Sequence, residues 1–157
     1  LKQKKIILIC SDGGHLAQIL ELKDLFIQYD YLLITEKTEA TAPLRKKYNI
    51  KYLKSRPSGS RSIAFVMSLL SNLFLSFKLL IQHYPKVIIT TGSHTAVPLC
   101  LLGKVFRVKI VWILSFARIN TRAKSADFIY PLADRFIVQW ESARELYPKS
   151  IYLGGIY

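Results

Sequence analysis

The sequence predicts one α/β domain spanning residues 1–157, a Rossmann-like parallel sheet with helices on both faces. Three observations predict it. Short apolar runs rich in Ile, Val and Leu alternate with longer segments of helical period. Those runs are unbroken rather than alternating with polar residues, which marks strands buried on both faces, as parallel strands are. No internal repeat, low-complexity tract or Gly/Pro-rich linker divides the 157 residues, a length that one core can accommodate.

The first strand is Lys5–Cys10. Lys2, Lys4 and Lys5 lead into only five apolar residues, too few for a signal peptide, so a cytoplasmic protein is expected. A helix over 15–29 follows two glycines, then a strand over 31–35, a helix over 41–48 and a strand over 51–53. The apolar-rich stretch 62–83 reads as a long helix leading to the strand 86–91. In the next helix, 95–106, Pro98 falls in the first turn, where its missing N–H costs no hydrogen bond. A strand over 109–114, a weak helical piece over 126–132, a strand over 135–139, a helix over 141–146 and a strand over 150–153 complete the chain. Repeated βα units impose right-handed crossovers and an open, doubly wound sheet. Ligands of such sheets gather beyond the carboxyl ends of the strands. The loops at that end are 11–14, 35–39, 55–61, 92–94 and 115–121, and all but 35–39 carry glycine, histidine or arginine.

Charge narrows the classes of partner. The net charge is +13, and all ten carboxylates lie at or before Glu39 or at or after Asp127, with fifteen Lys and Arg between. Such a field draws phosphate groups, whether of nucleic acid, anionic lipid or a diphosphate substrate. It excludes a paired-carboxylate mechanism built from the middle of the chain. A basic nucleic-acid-binding α/β module is the alternative reading, and a solvated basic surface is the plainest one. Against nucleic acid, the aromatic residues sit inside apolar runs instead of alternating with cations as stacking platforms. Cys10 and Cys100 lie in apolar runs as buried thiols do, and with three histidines and no C-x-x-C no metal site is expected. The G-x-G-x-x-G turn, the Walker loop and the nucleophile elbow are all absent, so no cofactor is expected and nothing holds a nucleotide sugar unaided.

Three turns can carry chemistry. Ser11-Asp12-Gly13-Gly14-His15 follows the first strand, and its glycines let backbone approach an anion at the start of a helix. The helix dipole there is expected to hold His15 neutral, making it a candidate general base; a turn histidine that only bonds backbone is the alternative. Thr91-Gly92-Ser93-His94-Thr95 is a second turn of the same design, with hydroxyls suited to a helix cap or a phosphate oxygen. His94 is either a second acid–base group or a neighbour of the cap. Beyond Ser115-Phe116-Ala117, Arg118 and Arg122 can clamp a diphosphate; the alternative is that they and Lys124 all face solvent, which is preferred for Lys124.

The helix over 62–83 has its polar residues Ser68, Ser71, Asn72, Ser76 and Lys78 on one side when projected at the helical period. Its longest apolar run is five residues, so it is not expected to span a bilayer. Two readings remain: a core helix, or one lying in a membrane interface through Phe65, Phe74 and Phe77 with Arg61 among the cations before it.

Gly13-Gly14-His15, Thr90-Thr91-Gly92-Ser93 with Ala96-Val97-Pro98, and Ser115-Phe116-Ala117-Arg118 together form a recognisable pattern. Tyr130-Pro131-Leu132-Ala133-Asp134, Phe136-Ile137-Val138-Gln139-Trp140 and Tyr147-Pro148-Lys149 with Tyr152-Leu153-Gly154-Gly155 extend it over the chain. The pattern resembles the membrane-anchoring subunit of the eukaryotic two-part UDP-GlcNAc transferase. It resembles still more its bacterial capsule and exopolysaccharide counterparts of the PssD type, and more distantly the N-terminal half of MurG.

The resemblance implies the acceptor half of a GT-B glycosyltransferase, not active alone. It also implies a donor-binding partner subunit, inverting β-1,4 transfer from a UDP-sugar, and a polyprenyl-diphosphate-linked sugar acceptor. The implied location is peripheral, on the anionic inner face of the plasma membrane. By motif, Gly13, Gly14 and His15 line the acceptor side with Gly92, Ser93, His94, Arg118 and Arg122 near it. Gly154, Gly155, Ile156 and Tyr157 make the partner interface. Two positions depart from the family pattern: Leu114 stands where a glutamate is common, and His94 where a small residue is.

Overall fold

The computed structural model describes residues 4–54 and 63–157, apart from the side chains of Ala64, Phe65 and Leu69. The strands are β1 (Lys5–Cys10), β2 (Asp30–Glu36), β3 (Ile50–Leu53), β4 (Val87–Gly92), β5 (Lys109–Ile113), β6 (Arg135–Val138) and β7 (Ile151–Tyr152). They form one parallel sheet in the order β3-β2-β1-β4-β5-β6-β7. The helices are α1 (Gly14–Glu21), α2 (Lys23–Gln28), α3 (Ile63–His83), α4 (Val97–Val105) and α5 (Lys124–Ile129).

The unbroken apolar runs do what their composition requires. In β1, Ile7 and Ile9 point into the core on one face of the sheet, and Ile6, Leu8 and Cys10 into the core on the other. The first face is covered by α3, α4 and α5; the second carries Leu16 and Ile19 of α1, Leu25 and Phe26 of α2, and Leu44. Residues 7–10 of β1 and 32–34 of β2 therefore lose contact with water on both sides, and with it the cost of exposing their apolar area.

Several predicted elements differ in detail. The helix expected over 15–29 is two helices broken at Leu22 (φ −77°, ψ 51°), which turns Leu22, Leu25 and Phe26 onto the sheet. The helices expected over 41–48 and 141–146 are short 3₁₀ turns, Ala42–Lys46 and Glu141–Glu145. A further 3₁₀ turn, His94–Ala96, precedes α4.

The helix α3 is inverted relative to a soluble surface helix. Of Ser68, Ser71, Asn72, Ser76 and Lys78 only Lys78 is exposed: Ser76 is buried, Ser68 and Ser71 are half-buried, and the half-buried Asn72 accepts from Lys54 N–H (2.9 Å) and donates to Lys54 C=O (3.0 Å). Its apolar residues Val66, Met67, Leu70, Phe74, Phe77 and Ile81 face outward, Phe74 with 70% of its surface open. Leu79 and Leu80 anchor the helix in the core, and Phe77 meets Phe106 at the end of α4 (centroids 5.9 Å apart), extending the apolar face. A hollow of about 480 Å³ lined by Leu80, Ile81, Tyr84 and Phe106 adjoins this face. The fully buried core reading of this helix is thereby excluded for its outer side. Arg61 and the side chain of Phe65, two of the expected membrane contacts, lie outside the described residues.

Candidate functional site

The strand order reverses between β1 and β4: one leads through α1 and α2 to β2 on its left, the other through α4 to β5 on its right. Beyond the carboxyl ends of these two strands the flanking loops part and leave a crevice. Both glycine turns meet there. Gly13 (φ +70°) releases the chain from β1 into α1, and Gly92 (φ +99°) ends β4. A Cβ at Gly92 would stand 3.2 Å from His15 Cε1 and 3.4 Å from Trp112 Cζ2, so the imidazole lies directly against the second turn.

His15 is fixed from both sides of its residue. Its Nδ1 lies 2.7 Å from the Thr91 carbonyl oxygen, and the Thr91 hydroxyl donates to the His15 carbonyl at 2.9 Å. A carbonyl can only accept, so the neutral ring carries its proton on Nδ1 and presents Nε2 as an acceptor. Burial pushes the His15 pKa below its ordinary 6.5, opposed by the Thr91 bond; Arg118 and His94 lower it further and Glu36 raises it. The direction agrees with the sequence reading, and its leading cause is desolvation. The Thr91 hydroxyl, expected to cap a helix or hold a phosphate, is occupied in this clasp.

A cleft of about 350 Å³, open to solvent, is lined by His15, Gly92, Ser93, Trp112, Ser115 and Arg118. Leu114, where the family pattern has glutamate, lines it as a buried apolar wall. Arg118 is exposed at its edge, its guanidinium 3.3 Å from the Thr121 hydroxyl and 3.4 Å from the Arg122 carbonyl. Arg122 is differently placed: it pairs with Asp127 (3.1 Å), donates to the Leu146 carbonyl (2.9 Å) and lies over the Tyr147 ring. It fastens the loop after β5 and is not part of the cleft wall. His94 is exposed beside the mouth, its Nδ1 3.4 Å from the Ser93 hydroxyl. Cys10 and Cys100 are buried and their thiols pushed up to about 12, so neither is a thiolate nucleophile. Among the described residues, no group of three or more His, Cys, Asp or Glu is placed to hold a metal ion.

Sequence reasoning missed three residues. Gln18, buried in α1, accepts from Phe116 N–H (2.9 Å) and Gln139 Nε2 (2.6 Å), and donates to the Gly14 carbonyl (3.1 Å). Gln139 in turn donates to the Leu114 carbonyl (2.9 Å) and accepts from Ile156 N–H (2.9 Å). The chain's last residues are thus tied through two buried amides to the turn that carries His15. Phe116 completes the link by packing against Trp140 and Tyr157, with ring centroids 4.7 and 5.3 Å away. Around this join Leu153 and Tyr157 are exposed, and Gly154 has φ +91°. The third is Glu36, the carboxylate at the end of β2, buried and bonded to the Thr95 hydroxyl.

A single Rossmann-like layer structure with a crevice at its switch point is the fold of one half of a GT-B protein. MurG from Acinetobacter baumannii shares it with a TM-score of 0.75 at 13% identity, over 97% of this chain and 45% of MurG, its N-terminal half. The UDP-N-acetylglucosamine 2-epimerase of Rickettsia bellii matches at 0.74 and 12%, over 98% of this chain and 45% of its own. This chain therefore spans less than half the length of those structures, and the likeness is one of fold. The family described as oligosaccharide biosynthesis protein Alg14 like matches residues 6–156. The UDP-N-acetylglucosamine transferase subunit ALG14 of Homo sapiens is 31% identical, over 96% of this chain and 82% of that protein. The same subunit of Yarrowia lipolytica is 28% identical over 96% and 80%. The chain belongs to the Alg14 family.

Proposed function

We propose that this chain is the membrane-docked, acceptor-binding subunit of a two-component inverting glycosyltransferase. The observation that carries the reading is the meeting of both glycine turns at the switch point, with His15 clasped between them and Arg118 at the edge of an open cleft. The acceptor is a polyprenyl-diphosphate-linked saccharide. Its diphosphate lies near Arg118 and the backbone of Gly13, Gly14, Gly92 and Ser93, with His94 at the mouth and Arg122 holding the loop behind. The donor is a UDP-sugar, for which UDP-GlcNAc is favoured by the names of the relatives, and it is bound by a partner subunit. That partner docks on Gly154, Gly155, Ile156 and Tyr157, where exposed apolar groups join the buried amide network.

In the transfer step the acceptor hydroxyl oxygen forms a bond to the anomeric carbon while the bond from that carbon to UDP breaks, and UDP leaves with the electron pair. The hydroxyl proton passes to His15 Nε2, left free by the Thr91 bond. The product class is a capsule or exopolysaccharide precursor with a β-1,4 linkage. The test is binding of a short-chain polyprenyl-diphosphate-GlcNAc to this chain, followed by perturbation of the His15 ring and Arg118 resonances. Saturable binding with those shifts supports the reading. Absence of binding, with tight binding to duplex DNA at physiological salt, favours the nucleic-acid alternative.

Docking is through α3, at the inner face of the plasma membrane. Val66–His83 is long and apolar enough to cross a bilayer by length and composition, with a mean hydropathy of 1.2. It is also the crossover between β3 and β4 of one sheet, packed on α4, and this geometry favours lying in the interface over spanning. Converting Phe74 and Phe77 to serine is expected to release the protein from anionic vesicles, since each buried ring contributes about 1.5–3 kcal/mol. Phe74 is largely exposed and Phe77 is more covered, packed against Phe106, so the variant loses some stability but stays folded. Retained vesicle binding, measured by co-sedimentation, would show that this face meets a protein instead.

A further inference from the structure

The acid-free stretch between Glu39 and Asp127 leaves the turn after β4 without a carboxylate of its own. Folding brings one in from outside that stretch. Glu36 ends β2, two strands from β4, yet its carboxylate accepts a hydrogen bond from the Thr95 hydroxyl in the turn that follows β4. To reach it, the chain after Gly92 crosses over the end of β1, so this one bond bridges the switch point. Glu36 has only 7% of its surface exposed, and Thr95 only 4%.

The loop after Glu36 is built to hold it still. Thr41 donates its hydroxyl to the Glu36 carbonyl (2.7 Å) and accepts from Thr38 N–H (2.9 Å), and Tyr52 donates to the Thr41 carbonyl (2.9 Å). Side chains dedicated to fixing a loop restrict the rotamers of what it carries. The turn at the other end of the bond holds Gly92 and Ser93, two walls of the cleft, and closes on itself through Ala96 N–H to the Ser93 carbonyl (3.1 Å).

We infer that Glu36 is a positioning residue of the acceptor site, pinning the turn after β4, which packs against the His15 ring, across the end of β1. The groups that act on the His15 ring are the Thr91 carbonyl from β4, bonded to it, and, through their fields, Arg118 from the loop after β5, His94 from the turn before α4, and Glu36 from β2. Arg118 and His94 oppose protonation of the ring, and Glu36 is the acidic side chain that favours it. Basicity falls with pKa, so a neighbouring cation weakens a base. Glu36 opposes the effect of Arg118 on the ring while Arg118 remains available to an anion. The role rests on the acceptor-site reading above, but its first test does not.

That test is the titration of the His15 ring by NMR in the full chain. In Glu36→Gln, whose amide oxygen still accepts from Thr95, the His15 midpoint moves to lower pH; in Arg118→Gln it moves to higher pH. A His15 midpoint unmoved in Glu36→Gln overturns the assignment whatever any transfer assay gives. Thr95→Val removes the bond from its other end and keeps the charge. There the Ala96 amide exchanges about tenfold faster, as loss of one hydrogen bond implies, and the acceptor KM of the partnered enzyme rises with kcat little changed. Unchanged exchange at Ala96 overturns the tether, including where Glu36→Gln fails to fold. A His15 midpoint that responds as stated, in a chain that binds no polyprenyl-diphosphate sugar, condemns the acceptor reading and leaves the coupling standing.

Discussion

His15→Ala lowers transfer by the partnered enzyme about 10²–10⁴-fold, the range that loss of a positioned general base implies, while the pair still assembles. The imidazole is half-buried and its Nδ1 is committed to the Thr91 carbonyl, so Nε2 is the atom lost to the chemistry. His15→Asn separates chemistry from scaffold, because an amide N–H can still donate to Thr91. It should restore stability and leave the rate low. The pH dependence follows from the direction of the shift. Burial holds the folded pKa below 6.5, so the base form dominates at neutral pH and the rate falls only as pH descends through that lower value. The same depressed pKa gives a stability contribution that is fully present above the unfolded value and lost as pH falls toward the folded one. Steady-state rates between pH 5 and 8 check the first and urea midpoints over the same range the second; a rate for His15→Ala equal to the native one removes His15 from the chemistry.

Gln18→Leu is expected to destabilise the chain by about 2–3 kcal/mol and to weaken partner binding together with it. The substitution keeps the volume but removes the acceptor of the part-buried Phe116 N–H and of one N–H of the buried Gln139 amide, which keeps its bond to the Leu114 carbonyl. A buried donor without a partner costs more than the bond it lost, because it keeps its desolvation penalty. For a domain of this size the thermal midpoint should fall by roughly 5–10 °C. Through Gln139 the disturbance reaches Ile156 N–H, so amide exchange at the chain's end should quicken as well. Gln139→Leu spares the Gly14 contact but frees Ile156, and should weaken pairing with a smaller loss of stability. Urea midpoints and partner dissociation constants for the two variants check this, and equal midpoints for native and Gln18→Leu contradict it.

The fold was legible because its signal is local. Strands such as Ile6 to Cys10 are apolar on both faces, and only a doubly covered sheet accommodates that. Elements held by tertiary contacts were not legible. The break at Leu22 exists because its side chain and those of Leu25 and Phe26 turn onto the sheet, which no helical period encodes. The segment 141–146 has helical composition but only room for a 3₁₀ turn before the last strand.

At the site, the two glycine turns and His15 were readable because strand–glycine–helix is a local pattern. Glu36 was not, since a charged residue at the end of an apolar run reads as the start of a loop. Its burial depends on Thr95, fifty-nine residues away in sequence. Arg118 and Arg122 are four residues apart and alike on paper; only the packing of Asp127 and Tyr147 against Arg122 tells them apart. For α3 the period separated polar from apolar faces, but only the folded chain shows the apolar one pointing outward.

The central claim is tested by co-expressing this chain with a donor-binding partner subunit and measuring sugar transfer from UDP-GlcNAc to a polyprenyl-diphosphate-linked saccharide. The account predicts transfer by the pair, none by either chain alone, and retention of the lipid acceptor by this chain in the absence of its partner. Robust transfer by this chain without a partner, or an acceptor held by the partner instead, would contradict it.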